Sequence, residues 1–334
     1  MGNLSYTPLQ KLQKRITTLM QNTLAPSTKS SYQRAFHKYQ QFCLLHHLQA
    51  APIIEYNLML YVSQLSIASS PSNIKTHLAA IKHHVVILGF HSELPPLPRL
   101  YMLTRAIKRE YGTKHNKPPR LPITITSLGT LKQYISIHYS YHDQIMLWAA
   151  FTTAFFGFLR SSEYTAPTAK QFDPSQTLLI SDLSQTNGRI LINVKASKTD
   201  PFRHGCYIRL SPTHSEVCPV SALNKLYSIH SKQGPLFTFQ DQTFLTRRRL
   251  NNILKKALPS RGNQGATSSH SFRIGAATTA AAAGFPKWLI QHLGRWNSDC
   301  FRTYIRIPDQ TIDTVAKSLS TTMSSSITFD PDFA

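Results

Sequence analysis

Along the first third of the chain, apolar positions recur at the spacing of helices. From Thr28 the residues Tyr32, Phe36, Tyr39, Phe42 and Cys43 share one helical face, with Thr28 or Ser30 available as a cap. Pro52 opens a second predicted helix through Tyr56, Leu58, Tyr61, Val62 and Leu65. Ser70-Pro71-Ser72 caps a third, striped by Ile74, Leu78, Ile81 and Val85. After Pro95-Pro96-Leu97-Pro98 a fourth runs from Leu100 to Tyr111. A shorter helix is expected over Leu9–Met20, stopped by Pro26. This pattern predicts an all-α module over residues 1–115.

The pattern then changes. Residues 116–122, the end of the Pro-rich basic run from Gly112 to Pro122, read as a linker. Beyond it, 123–334 mixes periods. Helices are predicted over Thr126–Ile137 and Asp143–Phe158, and strands over Thr177–Ile180, Arg189–Val194 and Cys206–Leu210. The Asn187-Gly188 pair marks the turn before the second strand. Cys218-Pro219 opens a helix to about His230, and another spans Thr246–Leu258. The expectation is therefore two domains, all-α and then mixed α+β.

Charge narrows the function. Among 334 residues, 37 Lys+Arg face 15 Asp+Glu, a net charge of +22. Self-repulsion on that scale calls for a polyanion, so double-stranded DNA is the expected partner. Candidate phosphate contacts are Lys75, Lys82, Arg105, Lys108 and Arg109 in the helical module, Lys117 and Arg120 in the linker, and Arg247 and Arg248 beyond it. Four scattered cysteines without a Cys-x-x-Cys pair suggest a reducing compartment. The N-terminus has no signal-peptide pattern, and the longest apolar run, Ile145 to Leu159, is too short to span a bilayer. No phosphate-cradling Gly-x-x-x-x-Gly-Lys-Ser/Thr loop occurs, nor any carboxylate cluster suited to two metal ions. Adjacent pairs such as His46-His47 and His83-His84 point apart on a helix. No cofactor, metal, membrane or small-molecule substrate is expected.

What remains for chemistry is Arg, Lys, His and Tyr. Arg160 follows an apolar helix, an unusual place for a permanent charge unless an anion waits there, and Glu163 is placed to orient it through a bidentate pair. Lys198 sits between the second and third strands, with Lys195 as its competitor. His270 and Arg273, at i and i+3, share a helix face, and Leu293-Gly294-Arg295-Trp296 and then Tyr304 follow.

The order His-x-x-Arg, Leu-Gly-x and a downstream Tyr resembles the tyrosine recombinases, the phage-integrase-like enzymes of DNA strand exchange. Gly294-Arg295-Trp296-Asn297-Ser298-Asp299 through Tyr304 is most similar to recombinases of eukaryotic crypton- and DIRS-type mobile elements. The resemblance implies a SAM-like helical core-binding domain and a catalytic domain with a small antiparallel sheet. It implies that Arg160 and Arg273 grip one phosphate, that Glu163 partners Arg160 and that Lys198 protonates the leaving 5′ oxygen. His270 then assists proton movement and Tyr304 is the nucleophile. A free phenol ionises only near pH 10, so this tyrosine needs cations and a base around it. The family's sixth position, His or Trp after the Gly, is where the chain departs. Arg295 fills it by spacing, unless Trp296 shifts in to pack on the tyrosine.

The resemblance further implies a homotetramer on paired DNA sites and, from the eukaryotic elements, a nuclear location, with a bacterial cytoplasm as the alternative. A catalytically silent DNA-binding descendant and a type IB topoisomerase share parts of this pattern and stay open.

Overall fold

A computed structural model describes residues 8–90, 97–111, 118–197, 200, 204–230, 234–260, 265–306, 312–314 and 317. The chain divides into two compact units, Met1–Lys117 and Pro118–Ala334.

The first unit is helical: α1 Leu9–Gln21, α2 Pro26–Leu45, α3 Glu55–Ser66, α4 Pro71–Ile87 and α5 Pro98–Tyr111. The apolar faces read from the sequence meet in a core of Phe36, Tyr39, Phe42, Leu58, Tyr61, Val62, Ile74, Ile81, Val85, Leu100 and Ile107. Ser70 caps α4 as expected, its hydroxyl accepting the Asn73 N–H at 3.3 Å. Two boundaries differ from the sequence reading. Pro26 starts α2 instead of stopping the helix before it, because a first-turn residue needs no N–H. The helix expected from Pro52 begins at Glu55, after an extended Ile54.

The second unit runs α6 Ile125–His138, α7 Tyr141–Phe156, α8 Ser161–Tyr164, β1 Leu183–Thr186, β2 Arg189–Val194, β3 Cys206–Leu210, α9 Pro219–Ile229, α10 Arg247–Ala257, α11 Ser271–Ala282 and α12 Lys287–Gly294, ending in a 3₁₀ turn over Asp299–Tyr304. The three strands form one antiparallel sheet in the order β1-β2-β3. Asn187 and Gly188, both at positive φ, join β1 to β2 with Thr186 opposite Arg189. The first strand is therefore not Thr177–Ile180. That stretch makes one bridge, Leu179 with Pro235, and turns at Ile180–Asp182, where the Asp182 carboxylate takes the Leu179 N–H at 2.7 Å. The local capping bond outweighs β-propensity.

Residues 118–122 of the expected linker belong to the second unit, where a Cβ at Gly265 would collide with the Pro119 carbonyl, and Ile123 follows them into its core. The Ile123 N–H donates to the Ser271 carbonyl at 3.0 Å, and a Cβ at Gly275 would collide with the Ile123 carbonyl. Among the described residues no helix is long and apolar enough to cross a membrane.

Candidate active site

The site begins where α7 stops. Gly157 ends the helix and Phe158 takes a left-handed φ of 50°, which turns its carbonyl out of the helical ladder. That carbonyl accepts from two arginines far along the chain, Arg273 Nη1 and Arg295 Nη2 (3.0 Å for the latter). Two residues on, Arg160 caps α8, its N–H donating to Glu163 Oε2 at 2.9 Å.

Glu163 is buried and its carboxylate is fully used. Oε1 accepts from Arg160 Nη1 at 3.2 Å and from the Ser197 hydroxyl at 2.9 Å. Oε2 accepts the Arg160 N–H and Arg295 Nη2 at 3.0 Å. The expected bidentate Arg160–Glu163 pair is replaced by a carboxylate split between two guanidiniums. The reason is Arg295, which competes for Oε2.

Arg295 reaches Glu163 because it ends α12 in the left-handed region, φ 56° and ψ 47°, where Gly or Asn is usual. This reversal sends consecutive side chains different ways. Arg295 turns to Glu163, while Trp296 is buried with its ring 5.0 Å from that of Tyr304. Gly294 makes room: a Cβ there would overlap the Trp296 ring. Of the two residues weighed for the sixth position, Trp296 is the one whose ring packs on the tyrosine, and Arg295 is the one that pairs with Glu163. Its indole N–H is buried without a partner among the described residues.

Arg273, on α11, is fully buried. Its guanidinium donates to the carbonyls of Phe158 and Gly294 and lies 4.1 Å from the centre of the Trp296 ring and 5.7 Å from that of Tyr304. His270, just before α11, holds its ring 5.0 Å from Tyr304, edge to face.

Three guanidinium groups gather here around one carboxylate that pairs with only two of them, so the site is electrically unbalanced. Burial, then the neighbouring Arg160 and Arg295, lower the Arg273 pKa. Since arginine keeps its proton, this depression is stored unfavourable energy that an anion would relieve. Burial pushes His270 down to about 4, helped by Arg120, Arg273, Arg247 and Arg160. The imidazole is neutral near pH 7 and able to accept a proton.

Other sequence candidates are placed as follows. Lys198 and Lys117 lie outside the described residues. The competitor Lys195 is engaged, its Nζ 2.6 Å from Asp182. Lys75, Lys82, Arg105, Lys108 and Arg109 are exposed on α4 and α5. Lys75, Arg105 and Lys108 line a groove of about 290 Å³ beside Ile74 and Leu78. Arg120, Arg247 and Arg248 are exposed on the second unit, and the first two act on His270. Of the segment after Tyr304, Ile312–Thr314 are helical. Ser197 was not among the sequence candidates; a serine in a turn carries no local signal of a buried partner.

No protein-family model and no curated protein matches the chain. Solved structures do. A transposon Tn1549 integrase in complex with circular intermediate DNA superposes with a TM-score of 0.60 at 15% identity, covering 94% of this chain and 99% of that one. A lambda integrase dimer bound to a COC' core site gives 0.59 at 15%, over 90% and 77%. The XerH site-specific recombinase in a post-cleavage complex with difH gives 0.56 at 18%, over 87% and 80%. The chain has the recombinase fold. Within that fold, the helical segment ends, the left-handed turn at Arg295 and the final 3₁₀ turn converge on Arg160, His270, Arg273, Trp296 and Tyr304.

Proposed function

We propose that this chain is a site-specific DNA recombinase, breaking and rejoining DNA through a covalent 3′-phosphotyrosyl intermediate on Tyr304. One observation carries the reading. A surplus of buried positive charge lies beside a tyrosine whose ring is 5.0 Å from that of a neutral histidine, all within the recombinase fold. Arg160 and Arg273 offset charge on the scissile phosphate as it becomes pentacoordinate. His270 accepts the phenol proton, the phenolate oxygen bonds to phosphorus, and the bond to the 5′ oxygen breaks. Lys198 delivers a proton to that oxygen, leaving a 5′-hydroxyl. One phosphodiester replaces another, so a second 5′-hydroxyl reverses the step without ATP or a metal ion. Trp296 packs against Tyr304 and offers its free indole N–H to the phosphate.

The exposed Lys75, Lys82, Arg105, Lys108 and Arg109 make the first unit a SAM-like core-binding module that holds the duplex through its phosphates. Lys117, Arg120, Arg247 and Arg248 extend that contact. The working form is a tetramer on two DNA sites, serving a mobile element of the crypton or DIRS kind in the nucleus.

Covalent trapping tests the chemistry. Wild type and Tyr304→Phe are incubated with end-labelled DNA carrying the sequence that flanks the gene, nicked near candidate sites. A denaturing gel should show an adduct with wild type only, unaffected by EDTA. Tight, salt-sensitive binding without any adduct would overturn the enzymatic reading in favour of a DNA-binding descendant.

A further inference from the structure

Ser197 follows β2 and is half-buried at the edge of the site. Its hydroxyl donates to Glu163 Oε1 at 2.9 Å and accepts from Arg160 Nη1 at 2.8 Å, while Nη1 itself reaches Oε1 at 3.2 Å. The three groups close a ring in which every contact involves a charge, and such bonds are roughly twice as strong as neutral ones. The backbone of Ser197 is fixed as well. Its carbonyl accepts the Asp200 N–H at 3.0 Å, and the Asp200 carboxylate takes the Gly205 N–H at 2.7 Å. Ser197 is therefore held to the anion site by its hydroxyl and to Asp200 by its carbonyl.

The consequence lies in the guanidinium. Glu163 and Ser197 occupy Nη1, and the Arg295 carbonyl takes one donor of Nη2 at 3.3 Å. Among the described residues, Nε–H and the second Nη2 hydrogen remain. Neighbouring donors of this kind form the fork that binds phosphate oxygens. Without the hydroxyl, Arg160 loses the shortest of its three side-chain contacts and is held only by the 3.2 Å pair with Glu163 and the 3.3 Å bond to the Arg295 carbonyl, a looser hold on its rotation.

We propose that Ser197 is a positioning residue for strand cleavage, acting through Arg160: it holds Nη1 against Glu163 and turns the Nε–Nη2 edge to the phosphodiester. This rests on the recombinase reading above, and the test separates the two. Adduct formation is timed in a single turnover for wild type, Ser197→Ala and Ser197→Thr. Two DNAs are used, an ordinary one and one whose scissile phosphate is a neutral methylphosphonate.

On ordinary DNA, Ser197→Ala should be slower by about ten- to a hundredfold, with DNA affinity near wild type and Ser197→Thr largely restored. On methylphosphonate, where there is no phosphate charge for Arg160 to meet, the alanine defect should shrink. Equal slowing on both DNAs, or none, overturns the inference. A second readout needs no strand cleavage: inorganic phosphate should raise the melting temperature of wild type more than that of Ser197→Ala. An undiminished shift in the alanine variant overturns the hold on Arg160, whatever wild type does with DNA. A wild type that forms no adduct but shows the expected phosphate difference would instead overturn the strand-transfer reading.

Discussion

On one side of the site, Glu163 meets two guanidiniums, a hydroxyl and a backbone N–H, and both carboxylate oxygens are satisfied. On the other, Arg273 is just as deeply buried, yet it faces two carbonyls and two aromatic rings and has no carboxylate. The first arrangement resembles a structural ion-pair network, built to hold shape. The second resembles half of an interaction whose other half is missing. A buried pair tolerates the loss of neither partner, whereas a buried cation without a counter-charge carries a desolvation cost that folding alone does not recover.

Substitution should expose this contrast. Glu163→Ala leaves two part-buried guanidiniums without their shared carboxylate and should cost about 3 kcal/mol of stability in urea unfolding. Arg273→Met removes a cation that only carbonyl dipoles and rings support. Its stability should change by no more than about 1 kcal/mol, while covalent trapping falls below detection. If both variants unfold alike, the two sides of the site do not differ in kind.

The side that holds shape was harder to see in the sequence than the side that carries the proposed reactive groups. His270, Arg273 and Tyr304 stood out because their residue types and spacing already describe phosphate chemistry. The helices of the first unit were legible for a similar reason: their faces repeat and Ser70 sits where a cap is needed. Pro26 misled because proline both stops and starts helices, and only the neighbouring chain decides which. Arg295 could not be assigned from spacing alone, since its role depends on a left-handed backbone that sequence marks clearly only when glycine is present. Ser197 reaches Glu163 across a long stretch of chain, and no local pattern records such a contact.

The two sides meet at Gly294 and Arg295, so a change there should disturb both. At Gly294 a methyl group would overlap the Trp296 ring, and the carbonyl of the same residue accepts from Arg273. Gly294→Ala should therefore push Trp296 away from Tyr304. The expected cost is about 1–3 kcal/mol, of the order found for overpacked cores, together with slower adduct formation. Trp296 fluorescence offers a direct check against a background of two other tryptophans. A variant with unchanged emission and unchanged rate would mean that the contact between Trp296 and Gly294 has room to relax, and that the Leu-Gly pair has another purpose.

The finest distinction concerns His270, which belongs to the unbalanced side and feels its charge. Its folded-state pKa lies near 4, below the ordinary 6.5, so between these values the unfolded chain holds a proton that the folded chain refuses. This histidine's contribution to stability is complete above pH 6.5 and is lost as the pH falls toward 4. Carboxylates titrate over part of the same range, so the informative quantity is a difference between variants. Stability in urea should fall less from pH 7 to pH 5 in His270→Gln than in wild type. Bound DNA should weaken the effect in wild type, because a phosphate placed among Arg160, Arg273 and His270 offsets the arginine field that adds to burial in depressing the imidazole. Acidification should then favour the DNA complex of wild type more than that of His270→Gln. If the two proteins respond alike, burial alone lowers the His270 pKa and the surplus charge around it adds nothing, and the contrast between the two sides would end at Arg273.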